Sequence, residues 1–285
     1  MLLKDSLRAA IERLTIAQVG SPRLNAELLL MFVLDRDRAY LHAHPERELN
    51  PEEISHYEQV LAKRASGIPA QYITGHQEFW GMDFIVSPAV LIPRPETEHL
   101  IETVLSLARE IRHPRIVDVG TGSGCISLAL AKELPQAEIQ ATDISPAALE
   151  IAQANAARLQ PQVFLEHAPV IQFYERDLLE GVVPVSFDFV VSNPPYVGES
   201  EADQVWLEVR KYEPRNAVFA GPTGLEIIER LIPQAHEALK PGGWLVMEIS
   251  GTIADSVSRL LENWSSVSLI QDLQGISRVI SARKN

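Results

Sequence analysis

Asn193-Pro194-Pro195-Tyr196 closes the apolar run Phe187-Asp188-Phe189-Val190-Val191-Ser192, and it joins an amide, two rigid rings and an aromatic. An amide or aniline-like nitrogen is a poor nucleophile because its lone pair is delocalised into a π system. The Asn193 side-chain oxygen and the Pro194 carbonyl together can accept both N–H bonds of such a nitrogen. That arrangement aims the lone pair and favours the positive charge that builds during attack. The prolines fix the carbonyl, and Tyr196 offers a flat wall to a planar acceptor. No strong base is needed, since the nitrogen becomes acidic once it has bonded. Asn193, Pro194 and Tyr196 are therefore the candidate catalytic groups, and with Pro195 they form a candidate acceptor site. A rigid turn carrying an ordinary surface tyrosine uses the same residues, so the reading depends on the rest of the chain.

Val117-Asp118-Val119-Gly120-Thr121-Gly122-Ser123-Gly124 supplies a second chemistry. Glycines there permit a tight turn between a strand and a helix. The spacing is Gly-x-Gly-x-Gly, which is not that of dinucleotide folds, and no Lys-Ser or Lys-Thr follows as a P-loop requires. Asp118 just before the turn repels a pyrophosphate but suits a ligand carrying an ammonium and a sulfonium. The next strand ends at Asp143, where a carboxylate can accept two ribose hydroxyls. Ser145-Pro146 follows at once, so helix capping is a rival role for Asp143. Asp177 and Leu178 come after the third strand, where such folds contact an adenine. Each acid alone reads as a loop residue; three at successive strand ends read as a site. The candidate cofactor residues are Asp118, Gly120, Thr121, Gly122, Ser123, Gly124, Asp143, Asp177, Leu178 and Asn193. The pattern resembles the class I S-adenosylmethionine-dependent methyltransferases, which implies S-adenosyl-L-methionine as cofactor and S-adenosyl-L-homocysteine as product.

These groups need a scaffold. Buried strands are predicted at 115–119, 138–141, 171–175, 187–191 and 244–249, with helices from Cys125 to Leu134 and from Pro146 to about Arg158. A helical stripe of Leu225, Ile228, Ile232, Ala235 and Leu239 stops at Pro241-Gly242-Gly243, and 267–272 with 278–282 form a closing hairpin. Alternating strands and helices specify an α/β fold, a Rossmann-like mostly parallel sheet covered on both faces. The stretch Gln160–Val170 breaks the rhythm and reads as an insertion or irregular connection. Residues 1–75 read as a helical bundle. One helix starts behind Asp5 or Ser6 with Leu7, Ala10, Ile11 and Leu14 on one face. A second is capped by Ser21-Pro22, with a stripe of Leu24, Leu28, Met31 and Phe32. A third opens at Asn50-Pro51-Glu52-Glu53, carries Ile54, Tyr57 and Leu61, and ends at Gly67. Residues 76–93 read as a β-hairpin linker, and 94–285 as the domain that carries the two motifs.

The chain has 285 residues, 46% of them hydrophobic, enough to bury a large core. No apolar run is long enough to span a bilayer, and Met1–Lys4 opens into a polar helical pattern that is unlike a signal peptide. Cys125 is the single cysteine, which excludes an internal disulfide and a cysteine metal cluster and fits a cytoplasmic setting. A formal net charge of −13 argues against a nucleic-acid partner.

Asn-Pro-Pro-Tyr is shared by methyltransferases acting on adenine, cytosine and glutamine, so it fixes an acceptor type. Pro69-Ala70-Gln71-Tyr72-Ile73-Thr74-Gly75, Glu78-Phe79-Trp80-Gly81 and Leu91-Ile92-Pro93-Arg94-Pro95-Glu96-Thr97-Glu98 narrow it. So do Tyr212-Glu213-Pro214-Arg215 with Gly221–Leu225, and Gly275-Ile276-Ser277-Arg278. Over nearly its whole length the chain resembles the release-factor glutamine N5-methyltransferases. The related ribosomal-protein glutamine methyltransferases typically carry Arg-Ser-Pro where this chain has Arg94-Pro95-Glu96. Ser250-Gly251-Thr252-Ile253 departs from the family pattern of a glycine and, a few residues on, a glutamine. The resemblance implies methylation of the glutamine in a Gly-Gly-Gln segment of peptide chain release factors, with no direct nucleic-acid or membrane partner. The rivals are an adenine-N6 methyltransferase of DNA or RNA, which needs a basic groove and a base-flipping pocket, a ribosomal-protein glutamine methyltransferase, and a non-catalytic protein that kept the fold. A glutamine is small and common, so selecting one protein requires contacts remote from the reacting nitrogen. The helical bundle is expected to supply them by docking a distant domain of the release factor.

Overall fold

In a computed structural model, which describes residues 1–163 and 171–285, the chain divides into two units, Met1–His76 and Gln77–Asn285. The first unit is five helices: α1 (Leu3–Ile16), α2 (Pro22–Leu34), α3 (Arg38–Ala43), α4 (Pro51–Ala65) and α5 (Ala70–Thr74). Asn50 starts α4 as predicted. Its Oδ1 accepts the Glu53 N–H at 2.8 Å, and Glu53 Oε2 accepts the Asn50 N–H at 2.9 Å. Tyr57 then donates its hydroxyl to the Ala26 carbonyl (2.9 Å), and Arg64 Nε donates to Asn25 Oδ1 (2.7 Å), tying α4 to α2.

Two expectations in this unit are corrected. Helix α1 begins at Leu3, with Asp5 and Ser6 inside its first turn and no side chain capping it. The Leu3 and Lys4 N–H groups donate instead to the carbonyls of Arg47 and Pro45, at 2.8 and 3.1 Å, so backbone replaces the expected cap. In α2 the inward face is Ala26, Leu29, Leu30 and Leu34, while Leu24 and Phe32 are exposed and Ser21 makes no side-chain cap bond. Positions 28–34 are all apolar, so periodicity alone does not select a face. Glu27 also turns inward, where it accepts from Arg23 (2.9 Å) and pairs with Arg38 (3.1 Å).

The second unit opens with a hairpin of β1 (His76–Phe79) and β2 (Met82–Ile85), turning at Trp80-Gly81. This hairpin is part of the unit's core, where Phe79, Met82 and Phe84 pack with Leu100, Ile101 and Val104. The Asn155 side chain holds the Ile85 backbone at both its N–H (2.7 Å) and its carbonyl (3.0 Å). A short 3-10 turn, Pro95–Thr97, leads into α6 (Glu98–Leu107). The alternation then runs β3 (Arg115–Val119), α7 (Cys125–Glu133), β4 (Glu138–Asp143), α8 (Pro146–Val163), β5 (Ile171–Glu175) and β6 (Phe187–Ser192). It continues through β7 (Val197–Gly198), α9 (Leu207–Tyr212), α10 (Arg215–Val218), β8 (Phe219–Gly221), α11 (Glu226–Ala238) and β9 (Leu239–Glu248). Helix α12 (Ala254–Leu260) and the antiparallel pair β10 (Ser265–Gln271) and β11 (Ser277–Arg283) finish it.

Where the stretch from Gln160 was expected to be irregular, α8 runs on to Val163; the remainder, 164–170, lies outside the described residues. Pro241-Gly242-Gly243 was expected to separate a helix from a strand. It lies within β9, where the register against β6 shifts beside it, as a proline in a strand requires.

The seven-stranded sheet has the order β10-β11-β9-β6-β3-β4-β5, and β9, β6, β3, β4 and β5 run parallel. Alternate side chains serve opposite faces. Ile116, Phe189 and Val246 join residues of α6, α7 and α8 in one core, while Val117, Val190, Leu245 and Met247 join α11 and α12 in the other. By the same alternation Asp118 and Glu248 point to the α6–α7 face, buried within an apolar layer. Strand β3 has β4 on one side and β6 on the other, so the connections diverge there. A crevice opens at that point, at the carboxyl ends of the strands. Among the described residues, no helix is long and apolar enough to cross a membrane.

Candidate active site

The turn after β3 is stiffened from within. The Gly120 and Thr121 N–H groups donate to the Thr142 carbonyl (2.8 and 2.9 Å), Gly122 N–H donates to Asp143 Oδ2 (2.9 Å), and Gly124 N–H donates to the Thr121 carbonyl (2.8 Å). Four loop amides are thus taken by the protein itself, which is unlike a phosphate cradle. Gly120 and Gly122 sit at φ 72° and 55° with open space where a Cβ would be, so their backbone faces the crevice bare. Gly124, at the head of α7, would bring a Cβ within 3.2 Å of the Ala152 Cβ.

Beneath the loop, the buried Asp118 accepts on Oδ2 from the hydroxyls of Thr121 (2.7 Å) and Ser127 (2.6 Å). Its Oδ1 is buried with no protein partner. Burial pushes its carboxyl up to about 6. Asp143 accepts the Gly122 N–H on one oxygen and the Ser145 N–H (2.9 Å) on the other, and burial raises it as well. The rival role suggested for Asp143 is filled by its neighbour, because Ser145 Oγ takes the Ala148 N–H (3.3 Å) at the start of α8.

One cavity gathers most of the predicted groups. Gly120, Thr121, Gly122, Ser123, Asp143, Asp177, Leu178, Asn193 and Pro195 line it, together with Ile144, Arg176, Ala217 and Arg230. Asp177 pairs with Arg230 at 2.6 Å, and the Thr142 hydroxyl holds the Leu178 carbonyl at 3.0 Å. Asp118, Gly124, Pro194 and Tyr196 are not among the residues that line it. Pro194 is buried in its turn. Tyr196 donates its hydroxyl to Glu248 Oε1 at 3.0 Å.

Two groups that sequence reasoning did not single out complete the acceptor side. Thr97 Oγ1 donates to Glu248 Oε2 at 2.5 Å, and Asn193 Nδ2 donates to Thr97 Oγ1 at 3.2 Å. Burial raises the Glu248 carboxyl. An acid within the apolar run 245–249 was the available signal, since a buried carboxylate needs dedicated partners. Arg94 pairs with Glu213, and Glu213 Oε2 also accepts the Ile92 N–H at 3.1 Å.

Comparison with known proteins adds to this geometry. Residues 5–75 match the model of the PrmC N-terminal domain, and residues 96–210 match that of the methyltransferase small domain. A release factor glutamine methyltransferase of Koribacter versatilis is 56% identical over all of this chain and 99% of its own length. The chain belongs to the release factor glutamine methyltransferase family. A second member, from Geobacter sulfurreducens, is 39% identical over 93% of this chain and 90% of its own. In fold alone, the chain is similar to a methyltransferase from Pyrococcus furiosus (TM-score 0.50, 19% identity, 81% of this chain and 99% of that one). It is similar in the same sense to a T. thermophilus 16S rRNA methyltransferase solved with AdoMet and guanosine (TM-score 0.54, 18% identity, 74% and 50% covered).

Within the family pattern, the Leu91–Glu98 and Tyr212–Arg215 motifs turn out to be partners, because Glu213 grips both Ile92 and Arg94. The departure at Ser250–Ile253 forms a 3-10 turn in which Ser250 Oγ accepts the Thr252 N–H. A Cβ on Gly251 would come to 3.0 Å from the Ile276 Cγ2, so a larger residue there requires the Ile276 side chain to shift.

Proposed function

We propose that this protein transfers a methyl group from S-adenosyl-L-methionine to the side-chain amide nitrogen of the glutamine in the Gly-Gly-Gln segment of peptide chain release factors, acting in the cytoplasm. One observation carries the reading. Asn193, at the end of β6, faces the same cavity as the glycine loop and Asp143, so acceptor and cofactor groups share one space.

The residues present fit the cofactor. Asp118 keeps one buried carboxylate oxygen without a partner, a site for an attraction to a cationic ligand. Gly120 and Gly122 leave bare backbone, and the two Asp143 oxygens keep lone pairs for hydroxyl donors. Asp177 and Leu178 serve the adenine end. Bound there, the cofactor supplies an electrophilic methyl on a sulfonium. On the acceptor side, Asn193 Oδ1 and the Pro194 carbonyl accept the two amide N–H bonds and orient the nitrogen lone pair. The same oxygens stabilise charge on the nitrogen as the N–C bond forms and the S–C bond breaks, after which the nitrogen gives its proton to water. Pro195 and Tyr196 keep the turn rigid.

The test is to incubate the protein with labelled cofactor and either a release factor, the same factor with its glutamine replaced by asparagine, or duplex DNA. Label should enter the native factor alone. Asn193→Ala should bind cofactor normally and lose turnover by about 10²–10³-fold, the usual cost of one oriented polar group at a developing charge. Labelled DNA, or an Asn193→Ala enzyme with wild-type turnover, would sink the reading.

A further inference from the structure

Asn193 presents an ambiguous end to the cavity. Its amide oxygen and nitrogen occupy nearly the same shape, and a flip of the group would show the substrate amide a donor in place of an acceptor. Nothing in Asn193 itself decides between the two. The decision lies one and two bonds away, on elements that carry none of the cofactor loop.

The buried carboxylate of Glu248, on β9, is at the origin of the chain. It accepts the Tyr196 hydroxyl on Oε1 at 3.0 Å and the Thr97 hydroxyl on Oε2 at 2.5 Å. A hydroxyl has one proton to give. With that proton directed at Glu248, Thr97 Oγ1 can only accept from Asn193, and the group that donates to it at 3.2 Å is Asn193 Nδ2. The side-chain oxygen of Asn193 is then the end left for the cavity. Thr97 is itself buried, held in the turn before α6, so the relay has little freedom to rearrange.

We propose that Thr97 and Glu248 are positioning residues that lock the Asn193 amide with its oxygen, and never its nitrogen, toward the acceptor. This rests on the role given to Asn193 above. It adds two side chains that act through the residues they hold, Thr97 through Asn193 and Glu248 through Thr97 and Tyr196.

Thr97→Val removes the hydroxyl while keeping the shape, and Thr97→Ser keeps the hydroxyl. With full-length protein, labelled cofactor and a release factor, the valine variant should lose about 10- to 100-fold in kcat, as misoriented reacting groups do. Its cofactor affinity by calorimetry should stay within about twofold of wild type, because the Thr97 hydroxyl is engaged within the protein by Glu248 and Asn193. The serine variant should recover turnover to within about threefold. Thr97→Ala carries the same expectation as valine and replaces it if the valine variant melts early. Wild-type turnover in the valine variant beside an inactive Asn193→Ala would overturn the relay and leave the role of Asn193 standing. Equal losses in valine and serine variants would also overturn it, since packing and not the hydroxyl would be at stake. Wild-type turnover in Asn193→Ala would instead overturn the role of Asn193 itself.

Discussion

Asp118 is the residue whose chemistry is set most clearly by its surroundings. Its carboxyl, pushed up to about 6 by burial, holds a proton over a range where an unfolded chain has already released it. Between the ordinary carboxylate range and about 6 the folded state binds more protons, so this group's stabilising contribution is full in acid and is lost as pH rises through about 6. A cationic ligand reverses the preference, favouring the charged form. Cofactor binding should therefore release a proton and tighten as pH rises through about 6, measured by calorimetry in buffers of different ionisation enthalpy. Asp118→Asn should abolish that pH dependence, and a pH-independent wild-type affinity would separate Asp118 from the cofactor's charge. Asp118, Asp143 and Asn193 were legible in the sequence because each stands in or beside a contiguous motif at a strand end. Thr97 and Glu248 were not, because their meaning lies in a bond between residues 151 positions apart. Arg94 and Glu213 were quoted in separate motifs, and only the fold makes them a pair.

At the level of elements, the strands of the sheet were legible to within a few residues, since buried parallel strands read as short apolar runs between turn signals. The short helices α3 and α5 were not, since five or six residues carry too little periodicity to register. Helix α2 shows the opposite difficulty, with too many apolar positions for the period to choose a face. Its observed orientation is testable. Leu29 is 0% exposed and Leu24 49% exposed. In urea melts, Leu29→Ala should destabilise by about 2–5 kcal/mol through the cavity it leaves. Leu24→Ala should stay within about 0.5 kcal/mol of wild type. A loss at Leu24 as large as that at Leu29 would overturn this orientation.

On the scale of the whole molecule, the described residues that line the cavity belong to the second unit, and the first unit buries a core of its own with Leu3, Leu14, Leu29, Leu30 and Leu61. We expect it to dock a region of the release factor remote from the glutamine. A chain lacking residues 1–70, checked for folding by circular dichroism, should keep its cofactor affinity. It should lose about tenfold or more of its turnover on intact release factor and less on a short glutamine-containing peptide, because remote binding contributes to catalysis only where the substrate reaches it. Equal fractional losses on the two substrates would reduce the unit to a structural cap. Within the second unit, the two sides of the cavity differ in how far the chain must travel to build them. Asp118 meets Thr121 and Ser127 across 3 and 9 residues, and Asp143 meets Gly122 across 21. Asn193 reaches Thr97 across 96, and Thr97 reaches Glu248 across 151. Closing the longer loops takes more entropy. The acceptor side is therefore the costlier part of the cavity to assemble, and we expect mild urea to abolish turnover before it abolishes cofactor binding.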